Sequence, residues 1–315
     1  MARSKIEWTD VTWNPITGCT PVSEGCLNCY AKRMAKRLSC IGDGNGYPKD
    51  DPFRVTSHPD KLAEPGRWRK PRRVFVCSMG DPFHKDVSPA LILAIYVEMA
   101  AAIQHTFIVC TKRPERLVPI LYGPDSFLTM PCLVDNNRDH LPNVWHLTSV
   151  ENQEAADKRI PELLKLREAS GGWPVLGVSI EPCLGKIDLT PWLDPVCWSE
   201  CACCKDPDCR RKGFDGRLSV INWVIVGGET GPGARPMHPD WVRAIRDQCQ
   251  EAGVGFFFKS WGDWLPLVSA DEASWYPKAK LHEWPDGTRS VCIGKKAAGR
   301  LLDGREWNGE PKDEH

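Results

Sequence analysis

Six short runs in this chain are strand-like, rich in Val, Ile and Phe and largely apolar: Val74 to Cys77, Thr106 to Cys110, Val144 to Val150, Val175 to Ile180, Val220 to Val226 and Val254 to Phe258. A strand that is apolar on both sides has to be covered on both faces, which restricts it to a sheet sandwiched by other layers. Helix-like stretches supply that cover at Pro89 to Ile103, Glu154 to Ala169 and Pro239 to Ala252. Ser88 and Pro89 read as cap and first residue of one helix; Pro239 opens another, with Trp241, Val242, Ile245 and Cys249 on one face and Gly253 as its stop. Strand and helix alternating several times is the pattern of a parallel sheet under helices, either doubly wound or a barrel. With six or seven units the expectation is a (partial) βα barrel of six to seven parallel strands. A chain of 315 residues fits one such domain. The barrel is assigned to residues 1–259; residues 260–315, with Trp261, Trp264, Trp275, Trp284 and Trp307 but weak periodicity, read as a C-terminal cap or lid.

The ends of these strands carry polar side chains at nearly every turn: Ser78-Met79-Gly80-Asp81, Lys112-Arg113, Ser149 with Glu151-Asn152-Gln153, Glu181, Gly227-Gly228-Glu229 and Lys259. In barrels the loops after the strands' C-terminal ends build the active site, so their recurrence there points to one. Any single polar loop residue is equally well explained by solvent. The glycines of 227–231 are too few for a dinucleotide fingerprint, although their amides could face an anion.

Lys+Arg and Asp+Glu both number 41, so no overall field draws in nucleic acid or a membrane surface, and any basic site has to be local. The densest such run is Gly66-Arg67-Trp68-Arg69-Lys70-Pro71-Arg72-Arg73, which could hold phosphate with a base stacked on Trp68, or could be a solvated loop. The start lacks a signal-like apolar stretch, and Ala90 to Ile103 is broken by Glu98 and too short to span a bilayer. A cytoplasmic protein without membrane contact is expected. In that reducing setting its 15 cysteines point to metal or redox chemistry rather than disulfides.

Two cysteine groups stand out. Gly18-Cys19, Gly25-Cys26 and Cys29-Tyr30 form a C-x6-C-x2-C array that runs into a helix at Tyr30 to Leu38. A structural zinc site wants four ligands, for which Cys40 or His58 could supply the fourth; three cysteines on a cubane cluster leave one iron open. The second group packs Cys197, Cys201, Cys203, Cys204 and Cys209 into thirteen residues of an insert, 197–212. Cys197, Cys201, Cys204 and Cys209 could close a four-thiolate zinc knuckle or hold an auxiliary iron-sulfur cluster. Lys205, Arg210, Arg211 and Lys212 give that insert a basic patch. Cys77, Cys110 and Cys249 read as small core residues. There is no HExxH pair, P-loop or GxSxG elbow.

Three cysteines after a first strand, an aromatic beside the last, and a βα barrel behind them resemble the radical S-adenosylmethionine (SAM) superfamily. More closely, Lys5-Ile6-Glu7-Trp8-Thr9-Asp10, Thr12-Trp13-Asn14-Pro15, Gly25-Cys26-Leu27-Asn28-Cys29-Tyr30-Ala31, Val226-Gly227-Gly228-Glu229 and 298–304 resemble the phage-type three-Cys-motif proteins, a family of unassigned function. The usual superfamily spacing is C-x3-C-x2-C, so the first gap here is longer. The resemblance implies that Cys19, Cys26 and Cys29 hold a [4Fe-4S] cluster whose open iron chelates SAM, and that a 5′-deoxyadenosyl radical then abstracts hydrogen from substrate. It implies Ser78, Gly80 and Asp81 near the methionine amino group, with Ser149, Glu151 and Asn152 toward the ribose or carboxylate. Glu181, Glu229 and Lys259 are left as candidate catalytic residues. A reductant such as a flavodoxin or ferredoxin, and a partner protein, go with that chemistry. The expected substrate is a nucleotide, a nucleic-acid base or a related metabolite, to be modified or repaired. The competing readings are a zinc-stabilised nucleic-acid-binding protein without catalysis, and a barrel hydrolase using Glu181 and Glu229.

Overall fold

Seven parallel strands lie side by side in chain order, six of them at the strand-like runs of the sequence. The computed structural model describes residues 4, 6–41, 46–124, 126, 141–170, 174–193 and 221–311. The cysteine-rich insert, with Cys197, Cys201, Cys204 and Cys209, lies outside the described residues.

The chain opens with β1 (Val11–Trp13), β2 (Ile16–Thr17), α1 (Tyr30–Ser39) and β3 (Thr56–Ser57). The alternating body follows: β4 (Arg73–Val76), α2 (Pro89–Ala101), β5 (Thr106–Thr111), α3 (Leu117–Leu121), β6 (Val144–Ser149), α4 (Gln153–Ser170), β7 (Leu176–Ile180), α5 (Thr190–Leu193), β8 (Trp223–Gly227), α6 (Pro239–Glu251) and β9 (Gly255–Ser260). The large sheet runs β1-β4-β5-β6-β7-β8-β9, every pair parallel, and β1 and β9 are its outermost strands, not paired with each other. This is a partial βα barrel with seven strands. The strand missing from the six apolar runs is β1, only three residues long, whose Val11 and Trp13 are buried and whose Thr12 is exposed. Past β9, β10 (Trp264–Pro266), β11 (Lys280–Glu283) and β12 (Arg289–Cys292) form a small antiparallel sheet, followed by α7 (Lys295–Ala298). The chain then returns to the barrel: Phe258 N donates to Trp307 O, and Gly309 N to Phe256 O, so residues 307–309 run along the outer edge of β9.

Ser88 caps α2 as its sequence position implied, its hydroxyl accepting from Leu91 N with Pro89 in the first turn. His238 caps α6 in the same way, through Nδ1 and Asp240 N. The helix-facing core is aliphatic and aromatic, with Val76, Ile92, Ile95, Val109, Ile160, Leu163, Val178, Val226, Ile245 and Phe258 among it. The inner face of the sheet carries a separate cluster built from Trp8, Phe75, Ile108, Trp145, Leu147, Trp223, Ile225 and Phe257. Trp223 sits edge-on to Trp8, Trp145 and Phe257 with centroids 6.0, 5.7 and 6.3 Å away. Gly177 lies between Leu147 and Trp223 in register, where a Cβ would come within 3.0 Å of the leucine. The barrel is thereby plugged near the strands' N-terminal ends, which leaves the opposite end for a cleft.

Trp68 corrects one expectation: it is buried, 5.6 Å from the His105 ring, with the Arg72 guanidinium over its own ring, and offers no face to a base. The basic run it belongs to precedes β4, so it sits at the end of the barrel away from the strand C-termini. No helix among the described residues is long and apolar enough to cross a membrane.

Candidate functional site

The C-terminal ends of the strands surround a cleft of about 400 Å³. Cys19, Cys26 and Cys29 line it together with Ser78, Gly80, Asp81, Ser149, Glu181, Glu229 and Lys259. The three cysteines share one loop, Gly18 to Cys29, laid across the mouth of the barrel.

That loop is held by close backbone approach at its start. Gly18 pairs with Gly80, its N–H donating to Met79 O at 2.9 Å. At φ +85°, a Cβ on Gly18 would lie 2.1 Å from Arg54 O, so only glycine fits where the chain leaves β2 for the cysteines. At the loop's far end the Tyr30 hydroxyl, beside Cys29, donates to Ser78 O.

Between those points the strand-end side chains bind the loop itself. Asp81 is buried; Oδ1 accepts from Phe83 N and Thr111 Oγ1, and Oδ2 from Lys112 N and Arg113 Nη1 (2.8 Å). Arg113 Nη2 reaches Thr20 O at 2.9 Å, and its Nη1 lies 3.4 Å from Cys19 Sγ. Glu151, 1% exposed, takes Lys112 Nζ at 2.9 Å and Arg159 Nη1 at 3.0 Å, and Gly25 lies so close that a Cβ would be 2.8 Å from its Oε2. Asn152 caps α4 through Ala155 N and gives its Nδ2 to Glu24. Glu229 accepts from Asn28 Nδ2 at 2.8 Å and from Arg235 Nη2 at 2.7 Å, while Arg235 also donates to Glu24 O. Two of the amides of 227–231 that could face an anion are engaged within the protein: Gly228 N donates to Ser260 O and Gly231 N to Asp263.

Other candidates face open cleft. Lys259 Nζ lies 2.7 Å from Glu181 Oε1, and Ser179 Oγ donates to Glu181 Oε2 at 3.1 Å. Burial is the largest single influence on the Lys259 ammonium and lowers it, but the charge and hydrogen bond of Glu181, with the charges of Glu7 and Cys110, together outweigh it and the net shift is upward. Cys110, expected as core, has its thiol on the cleft wall, 3.9 Å from Ser149 Oγ, with its pKa pushed up to about 12 by burial. Of the nine catalytic and cofactor candidates, Glu151 and Asn152 stand behind the cysteine loop; the other seven line the cleft. Sequence reading placed Arg113 at a strand end without giving it a role, and gave none to Asn28 or Arg235; the loop partners of all three lie far away in the chain.

Among the described residues, the one set of three His, Cys, Asp or Glu side chains with ligand atoms all within 4.8 Å of one another is His238, Asp240 and Asp286. The three thiols are therefore spread more widely. Thiolates sharing one tetrahedral zinc at about 2.3 Å would be drawn to about 3.8 Å apart. The sequence's candidates for a fourth ligand are engaged elsewhere: Cys40 lies past the last turn of α1, roughly 16 Å along the helix from Cys29, and His58 Nε2 pairs with Thr17 Oγ1 at 2.8 Å. Burial, then the Asp81 charge, pushes the Cys19 thiol up to about 11, while Arg113 pulls the other way.

Burial raises the Glu151 and Glu229 carboxyls, but Lys112, Ser23 and Arg159 around the first, and Arg235 and Asn28 around the second, outweigh it and bring both below their ordinary 4.5. A depressed carboxylate stabilises the fold fully above its unfolded value, and that contribution fades as pH falls through the folded one. The thermal midpoint is accordingly expected to stay flat from pH 7 to about 5.5 and to drop below about pH 4.5. In a Glu151→Gln, Glu229→Gln variant followed by circular dichroism, the drop should be shallower; an unchanged acid limb would show that these carboxylates do not govern it.

Among solved structures the chain is similar to spore photoproduct lyase. A cysteine-to-serine mutant is 14% identical with a TM-score of 0.39, covering 94% of this chain and 72% of that one. The complex with dinucleoside spore photoproduct is 12% identical (TM-score 0.37), and a double mutant with bound AdoMet and the same dinucleoside is 13% identical (TM-score 0.38); each covers 90% of this chain and 68% of that one. No curated protein matches the chain. A family model described as protein of unknown function (DUF5131) matches residues 3–311, and the chain belongs to that family.

Proposed function

We propose that Cys19, Cys26 and Cys29 hold a [4Fe-4S] cluster, that the cleft behind them takes SAM, and that the protein is a radical-SAM-like enzyme. The observation that carries this reading is a single loop presenting three thiols, without Cys40 or His58, over the open end of a parallel βα barrel. When bound, the cluster supplies one-electron reductive cleavage of the SAM sulfonium, a source of a carbon radical that abstracts hydrogen.

This chain's own residues divide the remaining work. Ser78, Gly80 and Ser149 line the cleft next to the loop and are the contacts for SAM. Asp81 was expected at the methionine amino group, but its four accepted hydrogen bonds give it a different part, holding Arg113. Glu151, Asn152 and Glu229 likewise anchor the loop rather than touch cofactor or substrate. Glu181 and Lys259 fix one acceptor and one donor side by side to orient substrate. The apolar floor of Trp8, Phe75 and Leu147 keeps water from the reacting carbon.

A nucleotide, nucleobase or related metabolite is the substrate class this reading carries, with a flavodoxin- or ferredoxin-type reductant. The basic run at 66–73 lies at the other end of the barrel and does not contribute to it. A hydrolase using Glu181 and Glu229 fits poorly, because Arg235 holds Glu229 as its ion-pair partner and its carboxyl below the range of a general acid.

The test is iron, sulfide and zinc content with electron paramagnetic resonance on anaerobically reconstituted protein. A Cys19→Ala, Cys26→Ala, Cys29→Ala variant serves as control, with and without SAM. About four irons per chain at this loop, lost in the variant, and a reduced signal that shifts with SAM are expected. Zinc alone in the wild type, with one zinc lost in the variant, would replace this reading with the zinc-stabilised nucleic-acid-binding one.

A further inference from the structure

Among the described residues, Cys19 is the one of the three cysteines whose sulfur receives a hydrogen bond from a cationic side chain. Arg113 leaves the end of β5 and is itself buried, its side chain 8% exposed. One fork of the guanidinium bridges Asp81 Oδ2 (2.8 Å) and Cys19 Sγ (3.4 Å); the other donates to Thr20 O at 2.9 Å. Asp81 is in turn fixed by two backbone amides and Thr111. The Thr20 hydroxyl is engaged by His84 Nε2 at 2.7 Å. The positive charge therefore has one orientation, end-on to Cys19 and backed by a carboxylate.

The geometry points to the Asp81–Arg113 pair as the device that sets the reduction potential of the group held by Cys19. This rests on the iron-sulfur reading above. Reduction adds one negative charge to the cluster, and a cation hydrogen-bonded to a ligand sulfur favours the more negative state, so Arg113 raises the midpoint potential. In a buried site the effect is weakly screened. Asp81 opposes it: its carboxylate offsets part of the guanidinium charge and draws Nη1 away from the sulfur. The two residues therefore pull the potential in opposite directions while serving the same fold. Arg113 is a positioning residue, acting through Cys19 and Thr20 and not on substrate.

The experiment is a dithionite titration followed by electron paramagnetic resonance on reconstituted wild type, Arg113→Met, Arg113→Lys and Asp81→Asn, with iron per chain measured on each. The midpoint is expected to move to more negative values in Arg113→Met, to stay near wild type in Arg113→Lys, and to move to less negative values in Asp81→Asn. Simple loosening of the loop would move Arg113→Met and Asp81→Asn in the same direction, and that result, or no shift in either, overturns the proposal. Should Arg113→Met fail to load iron, Asp81→Asn decides alone: a less negative midpoint supports the assignment and an unchanged one removes it. A wild type without iron overturns the cluster reading itself, and with it this proposal, a failure distinguishable from unshifted midpoints in loaded protein.

Discussion

Replacing Glu151 with alanine is expected to cost about 3–5 kcal/mol of stability and most of the iron that the reconstituted wild type binds. The carboxylate is almost wholly buried, and its Oε2 faces Lys112 Nζ and Arg159 Nη1 within 3.0 Å. Their side chains are 18% and 8% exposed. Removing the shared acceptor leaves two cations crowded in a site that water barely reaches, and a stranded charge costs far more than a pair contributes when intact. Arg159 retains its bond to Ser149 O, which limits the loss without cancelling it. The same carboxylate supports Ser23 and abuts Gly25, so the cysteine loop loses its central prop at the moment the cleft wall is perturbed. Glu151→Gln keeps the volume and an acceptor, and should fall between wild type and alanine. Urea unfolding and iron per chain give the readouts. A Glu151→Ala protein that unfolds at the wild-type midpoint and loads iron normally would show that the loop does not depend on this anchor.

The sequence carried the frame of this molecule well, and physical reasons separate what it carried from what it hid. Strands apolar on both faces and helices with their own start signals are local properties, so β5, α2 and α6 could be placed to within a residue or two. β1 has no such signal, because three residues are too few to show a pattern. The cysteine loop announced itself by composition and spacing. What stayed hidden was how the strand-end polar groups divide between gripping the loop and facing the cleft. Asn28 and Glu229 are 201 residues apart, and Arg113 and Cys19 are 94 apart. A carboxylate at a strand end looks the same in sequence whether an arginine or a substrate will meet it. Continuous apolarity also conceals which face a residue takes. Val109 turns to the helices and Cys110 to the cleft, and nothing in the run Thr106 to Cys110 distinguishes them. Trp68 misled for the opposite reason: charged neighbours suggested solvent, yet its indole packs with His105 under Arg72.

Trp223→Ala is expected to lower the unfolding free energy by about 3–5 kcal/mol while leaving iron per folded chain unchanged. The indole is fully buried at the start of β8, edge-on to three aromatic neighbours, and its Nε1 donates to Gly309 O at 2.8 Å. Alanine removes the ring's transfer free energy and leaves a void that Trp8, Trp145 and Phe257 are too rigid to fill, so the cavity adds to the cost. The lost bond also frees Gly309, part of the segment that covers the outer edge of β9. Four residues of strand, about 13 Å, separate Trp223 from Gly227 at the mouth, and none of the loop's anchors touches the indole. Stability should therefore fall here without metal retention, whereas at Glu151 beside the cysteine loop the two fall together. Trp223→Phe, which keeps an aromatic edge and loses the Nε1 donor, should cost less than alanine in the same urea titration. Iron falling in proportion to stability in both variants would mean that the loop depends on the barrel floor, and that the two ends are one cooperative unit.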